Sequence, residues 1–248
     1  MNAGLKESTI QPQQKMKTKN MTTLHLRKSI GRSPWRRGCL LVVVALACFA
    51  LSPIAQAVEP SPDGGYPNGN TAEGTDALFS LTTGIENTAI GLDALYSTNA
   101  SGNTATGAYA LATDDTGYQN TANGLEALYH NTSGYDNTAS GTYALVANTT
   151  GYENTASGFS ALFNNMTGFD NTANGASALF SNTTGVNNTA TGSVALYSNT
   201  IGGNNTATGV AALNLNTSGT SNTANGLNAL NRNTTANNNT AIGLTDSL

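Results

Sequence analysis

The segment that decides the fold is 171–187, which reads NTANGASALFSNTTGVN. Its opening motif, Asn-Thr-Ala-x-Gly, recurs eleven times along the chain. The copies begin at Asn70, Asn87, Asn103, Asn120, Asn137, Asn154, Asn171, Asn188, Asn205, Asn222 and Asn239. Nine of the ten spacings are 17 residues, and the one from Asn87 to Asn103 is 16. A period this strict predicts a solenoid in which each repeat forms one coil.

The positions of the repeat, numbered 1 to 17 from its first Asn, differ in character. Position 3 is always Ala and position 4 is mostly polar, so on a strand they should point inward and outward, respectively. Position 5 is always Gly, which suits a bend. Ten copies carry Ala-Leu at positions 8 and 9, followed by an Asn-Thr-Thr-Gly turn composition at positions 12 to 15. The Ala-Leu segment is compatible with a strand or with one helical turn, and we favour a strand.

These positions predict an all-β fold, a parallel β-solenoid of about ten coils stacked ~4.8 Å apart. The inward residues of the central coils form the predicted core, which comprises Ala122, Ala139, Ala156, Leu128, Leu145, Leu162 and Leu179. Position 1 should form an amide ladder in which each Asn donates to one neighbouring coil and accepts from the other. Its central members are Asn120, Asn137, Asn154, Asn171, Asn188 and Asn205. A second ladder is expected at position 12, from Asn131 to Asn233.

The adjacent Ala and Leu at positions 8 and 9 have two interpretations. On a regular strand they would point to opposite faces, so Leu would be covered by a second subunit. Alternatively, Leu turns into the roll at a bend. Position 10 is aromatic in six copies and is a further candidate for a subunit contact. The sequence therefore predicts a self-associating chain without deciding which side chains form the contact.

The first 57 residues have the pattern of a secretory signal. Several bases between Arg27 and Arg37 precede an apolar run, 39–51, and the small residues at 55–57 form a cleavage pattern. The run has 13 residues, short for a membrane span of ~20, so we expect cleavage after Ala57 rather than an uncleaved anchor. Residues 58–69, rich in Pro and Gly, should form a flexible leader before the solenoid at 70–248. The predicted location is extracellular or at the outer-membrane surface.

Charge and composition exclude several classes of function. Residues 58–248 contain thirteen acids and a single base, Arg232, which disfavours nucleic acid as a partner. They also contain one histidine, His130, and neither Lys nor Cys, so we expect no enzyme activity and no cofactor. No stretch after residue 57 is long and apolar enough for a membrane span.

One acidic column is a weak candidate for a cation site. Position 17 is Asp136, Glu153 and Asp170 in three successive coils, which places carboxylates about one strand spacing apart. A bound Ca²⁺ would relieve their repulsion. We favour the simpler interpretation, in which the three side chains repel each other in solvent and bind no metal.

The repeats resemble the head repeats of YadA-like trimeric autotransporter adhesins, best at 87–91 and 239–243, where the motif ends in Ala-Ile-Gly. They are also similar to repeat arrays of bacterial tail-fibre-like proteins. The first resemblance implies a left-handed β-roll that forms homotrimers. The other nine copies replace Ile, and the 17-residue period is longer than is usual in that family. We expect a truncated product or a piece of a longer architecture, because the stalk, anchor or chaperone domain of those families is missing after 243.

The predicted function is an adhesin-head-like module that attaches to host cells, matrix or other surfaces. The alternative is the structural shaft of a tail-fibre-like protein truncated before its chaperone domain. A solenoid that binds ice or glycans is a third possibility, because Thr-x-Thr occurs at Thr104, Thr189 and Thr206.

Overall fold

The computed structural model describes residues 65–244. The signal peptide predicted for residues 1–57, the first seven residues of the leader and the last four residues of the chain lie outside this range. The described residues form one twelve-stranded sheet whose strands follow sequence order. The strands are β1 (Gly65–Tyr66), β2 (Asn70–Glu73), β3 (Thr88–Ile90), β4 (Thr104–Thr106), β5 (Thr121–Asn123), β6 (Thr138–Ser140), β7 (Thr155–Ser157), β8 (Thr172–Asn174), β9 (Thr189–Thr191), β10 (Thr206–Thr208), β11 (Thr223–Asn225) and β12 (Thr240–Ile242).

The strands from β2 to β12 pair in parallel, each with the equivalent strand of the next coil. Ala139 of β6 pairs with Ala156 of β7, and the same register holds along the whole sheet. The prediction of an all-β parallel solenoid of about ten coils is therefore confirmed. The strands from β2 to β11 bury their central Ala, whereas Ala241 of β12 is only partly buried. Position 4 is at least partly exposed in all of β2–β12, because successive side chains alternate between the two faces.

The Ala-Leu segment is not the strand that we favoured from sequence, nor a helical turn. It is a series of turns in which positions 7 and 9 have positive φ, for example 60° at Tyr143 and 52° at Leu145. The backbone alternates its inter-coil partners: the Tyr143 amide donates to Leu125 O of the preceding coil, and the Leu145 amide donates to Ala161 O of the next, each at 3.0 Å. This alternation directs both Ala144 and Leu145 into the interior, where both are fully buried.

The apolar part of the interior therefore consists of three stacked columns, Ala at position 3, Ala at position 8 and Leu at position 9. The predicted core residues Ala122, Ala139, Ala156, Leu128, Leu145, Leu162 and Leu179 all have zero exposure. Because the Leu column lies inside the roll, it provides no surface for a second subunit. The bend interpretation of position 9 is the correct one.

The bend at position 5 requires glycine. Gly141 has a φ of 139°, and a Cβ on this residue would lie 2.6 Å from the carbonyl oxygen of Gly158 in the next coil. Such a contact is shorter than real Cβ atoms allow, so the coils could not stack at their present spacing. The invariance of Gly at this position follows from that close approach.

The last residues of the predicted flexible leader are ordered and cover the first coil. β1 pairs antiparallel with β2. A 3-10 turn at Pro67–Gly69 joins the two strands, and Asn70 Nδ2 donates a 2.8 Å hydrogen bond to Pro67 O. Tyr66 packs against the end of the core. Residues 65–69 of the predicted leader thus form a strand and a turn that close the N-terminal edge of the sheet.

Candidate functional site

Two buried amide ladders run along the solenoid. At position 1, Asn154 Nδ2 donates to Asn137 Oδ1 at 3.0 Å and to Gly168 O at 2.9 Å. Its Oδ1 accepts from the backbone and side-chain nitrogens of Asn171, both at 3.1 Å. Asn120, Asn137, Asn154, Asn171, Asn188 and Asn205, predicted to form this ladder, are all fully buried. From Asn137 to Asn205, each side-chain amide therefore joins its own coil to both neighbours.

The second ladder, at position 12, has the same pattern. Asn148 Nδ2 donates to Asn131 Oδ1 at 2.8 Å and to Gly151 O at 3.0 Å. Among residues 65–244, no buried side-chain nitrogen or oxygen lacks a hydrogen-bond partner. The ladders are structural elements, since their polar atoms are used within the roll and are not available to a ligand.

One member of the second ladder is a carboxylic acid that sequence reasoning missed. Asp114 takes the place of Asn at position 12 and is fully buried. Its Oδ1 accepts from Asn131 Nδ2 at 2.8 Å, and its Oδ2 accepts from Asn103 Nδ2 at 3.2 Å and from Thr98 Oγ1 at 3.3 Å. Burial raises the pKa of Asp114 to about 7 despite these donors. The sequence contained one signal for this residue: Asp114 stands at position 12, where the later repeats carry Asn.

Asp114 follows the one shortened coil, 87–102. There, Thr98 stands at position 12 and is also buried. Ala100 O accepts the 2.8 Å hydrogen bond from Asn87 Nδ2 that a Gly carbonyl accepts in most other coils. The coil is therefore one residue shorter than the others in the turn between Thr98 and Ala100. The irregular coil and the buried acid together form the least regular part of the ladder.

The acidic column at position 17 lies in solvent. Asp136, Glu153 and Asp170 are all exposed. A hydrogen bond to Asp170, with the charge of that residue and of Asp136, raises the pKa of Glu153. Within residues 65–244, no three His, Cys, Asp or Glu side chains are grouped so that they could hold a metal ion. Stacking of the coils therefore holds three like charges close together in solvent.

Aromatic rings form stacks beside this column. At position 16 the rings of Tyr118, Tyr135, Tyr152 and Phe169 lie nearly parallel, with successive centroids 4.9, 4.9 and 4.7 Å apart. At position 10, Phe180 stacks between Phe163 and Tyr197 at 5.0 and 5.1 Å. Within each stack the rings contact each other face to face, so their faces are covered by neighbouring rings.

A further outer column lies at position 6, where the side chain is apolar in several coils and partly exposed. Phe159 is 57 % exposed and Val210 is 50 % exposed. Leu92, Leu125 and Leu227 are likewise among the exposed large apolar residues. With the position-10 rings, this column supplies part of the exposed apolar surface between residues 65 and 244; Ile85, Met166 and Ile201 lie at other positions.

His130 lies at the border of a shallow groove of about 510 Å³. The groove follows positions 11 and 13 and is lined by residues that include Thr113, Thr149, Asn164 and Met166. The His130 ring packs edge-on against Tyr129, with centroids 4.6 Å apart. The hydroxyl groups of Thr113 and Thr149 donate to backbone carbonyls, so the groove offers few free polar atoms.

Comparison of the chain with protein-family models, with curated proteins and with solved structures finds no match. Within the part of the chain that the structure describes, no helix has the length and hydropathy needed to cross a bilayer.

Proposed function

We propose that this chain is an exported, non-enzymatic repeat protein that acts as an adhesin-like attachment module at the cell surface. The observation that carries the proposal is the registered display of the outer columns. Each outward position occurs once per coil at one strand spacing, so weak contacts of a single coil are multiplied along the solenoid. The resemblance to adhesin heads, which rests on the repeat residues, points in the same direction.

A homotrimer is part of this proposal. The Leu column is inside the roll, so the contact would use the position-10 rings and the apolar position-6 column. Exposed apolar columns of this length are typical of protein contact surfaces. Phe180 lies at the centre of its stack and is the best single residue to change.

The test of assembly is analytical ultracentrifugation of residues 58–248. We expect a trimer for the wild type and dissociation for Phe180→Gln. The matched control, Thr184→Gln, changes an exposed turn residue and should leave the trimer intact. A folded wild-type monomer would contradict the trimer.

The test of attachment uses beads coated with residues 58–248 on cultured cells, on extracellular matrix and on glass. We expect retention above that of albumin-coated beads on at least one of these surfaces, and competition by the free protein. Retention equal to albumin on all three would contradict the attachment function. A trimer without attachment would favour the alternative role as a structural shaft.

A further inference from the structure

The outward face of the sheet β2–β12 carries a continuous rank of threonine. Position 2 is Thr in every strand, and the side chains are exposed except at Thr88, which is partly exposed. The rank comprises Thr71, Thr88, Thr104, Thr121, Thr138, Thr155, Thr172, Thr189, Thr206, Thr223 and Thr240. The sequence showed Thr-x-Thr in only three repeats, but the structure places one residue of each strand in this rank.

The threonine hydroxyls at position 2 differ from those at position 13 in their hydrogen bonds. At position 13, threonine hydroxyls donate to the carbonyl of the next coil, as Thr149 Oγ1 does to Met166 O at 2.8 Å. Within residues 65–244, the position-2 hydroxyls make none of the hydrogen bonds found in the structure. Thr combines a branched side chain suited to a strand with a hydroxyl that water can solvate, and Val, Ile and Tyr never occur at this position. The remaining partner of these hydroxyls is water.

The second outward rank, at position 4, is short and polar over most of its length. From Thr106 to Asn225 it contains Thr, Ser and Asn alone. Because the strands are in register, the two ranks form a lattice with repeats of about 4.8 Å across the strands and about 6.7 Å along them. Glu73 is the single charged residue at positions 2 and 4 of β2–β12, and none of these positions is aromatic.

We propose that this two-rank face binds ice. An ice surface is an uncharged, rigid and periodic array of water, and the face offers hydroxyl, amide and methyl groups in an uncharged array that is periodic in two dimensions. Water held between the ranks would already be positioned to join the crystal. A crystalline polysaccharide is the less suitable ligand, because sugar rings bind to open aromatic faces and the rings of this protein lie in other columns and stack on each other.

This proposal is independent of attachment to cells, because it concerns the purified chain in water. The test is thermal hysteresis and inhibition of ice recrystallisation by residues 58–248. Thr172→Tyr places a bulky ring in the middle of the rank, and its matched control is Thr184→Tyr, at an exposed threonine of a turn. Both substitutions are at exposed sites, and circular dichroism melting identifies any loss of fold.

We expect wild type and Thr184→Tyr to show thermal hysteresis and to inhibit recrystallisation, and Thr172→Tyr to lose both activities at an unchanged Tm. Absence of both activities in the folded wild type would overturn the proposal. Equal loss in both variants would also overturn it, since the rank would then have no special role. The double variant Thr155→Tyr, Thr172→Tyr should show no residual activity.

Discussion

Asn131 Nδ2 donates a 2.8 Å hydrogen bond to Oδ1 of the buried Asp114, which thereby replaces an amide with an acid within a ladder of amides. The hydrogen-bond donors around Asp114 favour the charged carboxylate and lower its pKa. Burial disfavours the charged form and raises the pKa, and this effect is the larger of the two. The solenoid therefore contains one internal group whose protonation changes near neutral pH.

We predict that this acid makes the protein more stable in mild acid than at neutral pH. The pKa of Asp114 is about 7 in the folded chain against 3.8 for the free side chain, so between these values the folded state binds the extra proton. The free energy of unfolding should fall as pH rises from about 4 to about 7, by on the order of 2–4 kcal/mol, and should be flat above that range.

The variant that tests this pH dependence is Asp114→Asn, which restores the amide of the other coils. It should remove most of the decline and raise Tm at pH 8, measured by thermal melting at pH 5 and pH 8. Asp115→Asn neutralises the exposed neighbour and is the control. A wild type that melts at the same temperature at both pH values would contradict the assignment.

The inside–outside assignment of the strand and the Ala-Leu segment can be tested with one substitution at two sites. Ala161→Asp puts an unpaired charge into the core and should destabilise the protein by several kcal/mol or prevent folding. Ser157→Asp places the same charge on the exposed face and should have little effect. Circular dichroism melting of both variants provides the measurement, and equal Tm values would show that the assignment is wrong.

Removal of a ladder amide should cost more than the loss of an ordinary hydrogen bond. Asn154→Ala leaves the buried backbone amide of Asn171 without its acceptor. It also removes one of the two hydrogen bonds made by Asn137 Oδ1, by Gly168 O and by Asn171 Nδ2. We expect a loss of roughly 2–5 kcal/mol in the free energy of unfolding, from urea denaturation. Asn164→Ala, at the partly exposed position 11, is the control and should change this value little.

We predict that removing one negative charge from the acidic column stabilises the folded protein. Glu153→Gln should raise Tm at pH 7, because the carboxylates of Asp170 and Asp136 oppose the ionisation of Glu153. Added NaCl should raise the Tm of the wild type more than that of the variant. Stabilisation by Ca²⁺ beyond that of a salt at matched ionic strength, lost in the variant, would instead indicate the cation site.

The period and the alternation of the strand could be predicted because they depend on local rules. Ala139 and Ser140 differ in burial as neighbouring strand residues must, and nine of the eleven repeats have Ala followed by a polar residue at these positions. The ladder formed by Asn154 and its equivalents follows from stacking identical residues. These features need no knowledge of the rest of the coil.

The conformation of Leu145 could not be predicted in the same way. A Leu with positive φ is unfavourable by itself, so sequence rules favour a strand there. Its conformation is imposed by inter-coil hydrogen bonds and by burial, which depend on the neighbouring coils. Tyr66 was missed for a similar reason, since its packing against the core end is a tertiary effect within a Pro/Gly-rich segment.

The uniform stacking of the coils also has a genetic consequence. From residue 120 to residue 238, every coil presents the same ladder amides, the same Leu and the same strand edges to its neighbours, and stability is shared between them. Recombination between repeats that removes or adds whole units therefore joins two surfaces that already fit. Alleles of different length should fold equally well and differ in the number of side chains that each outer column displays.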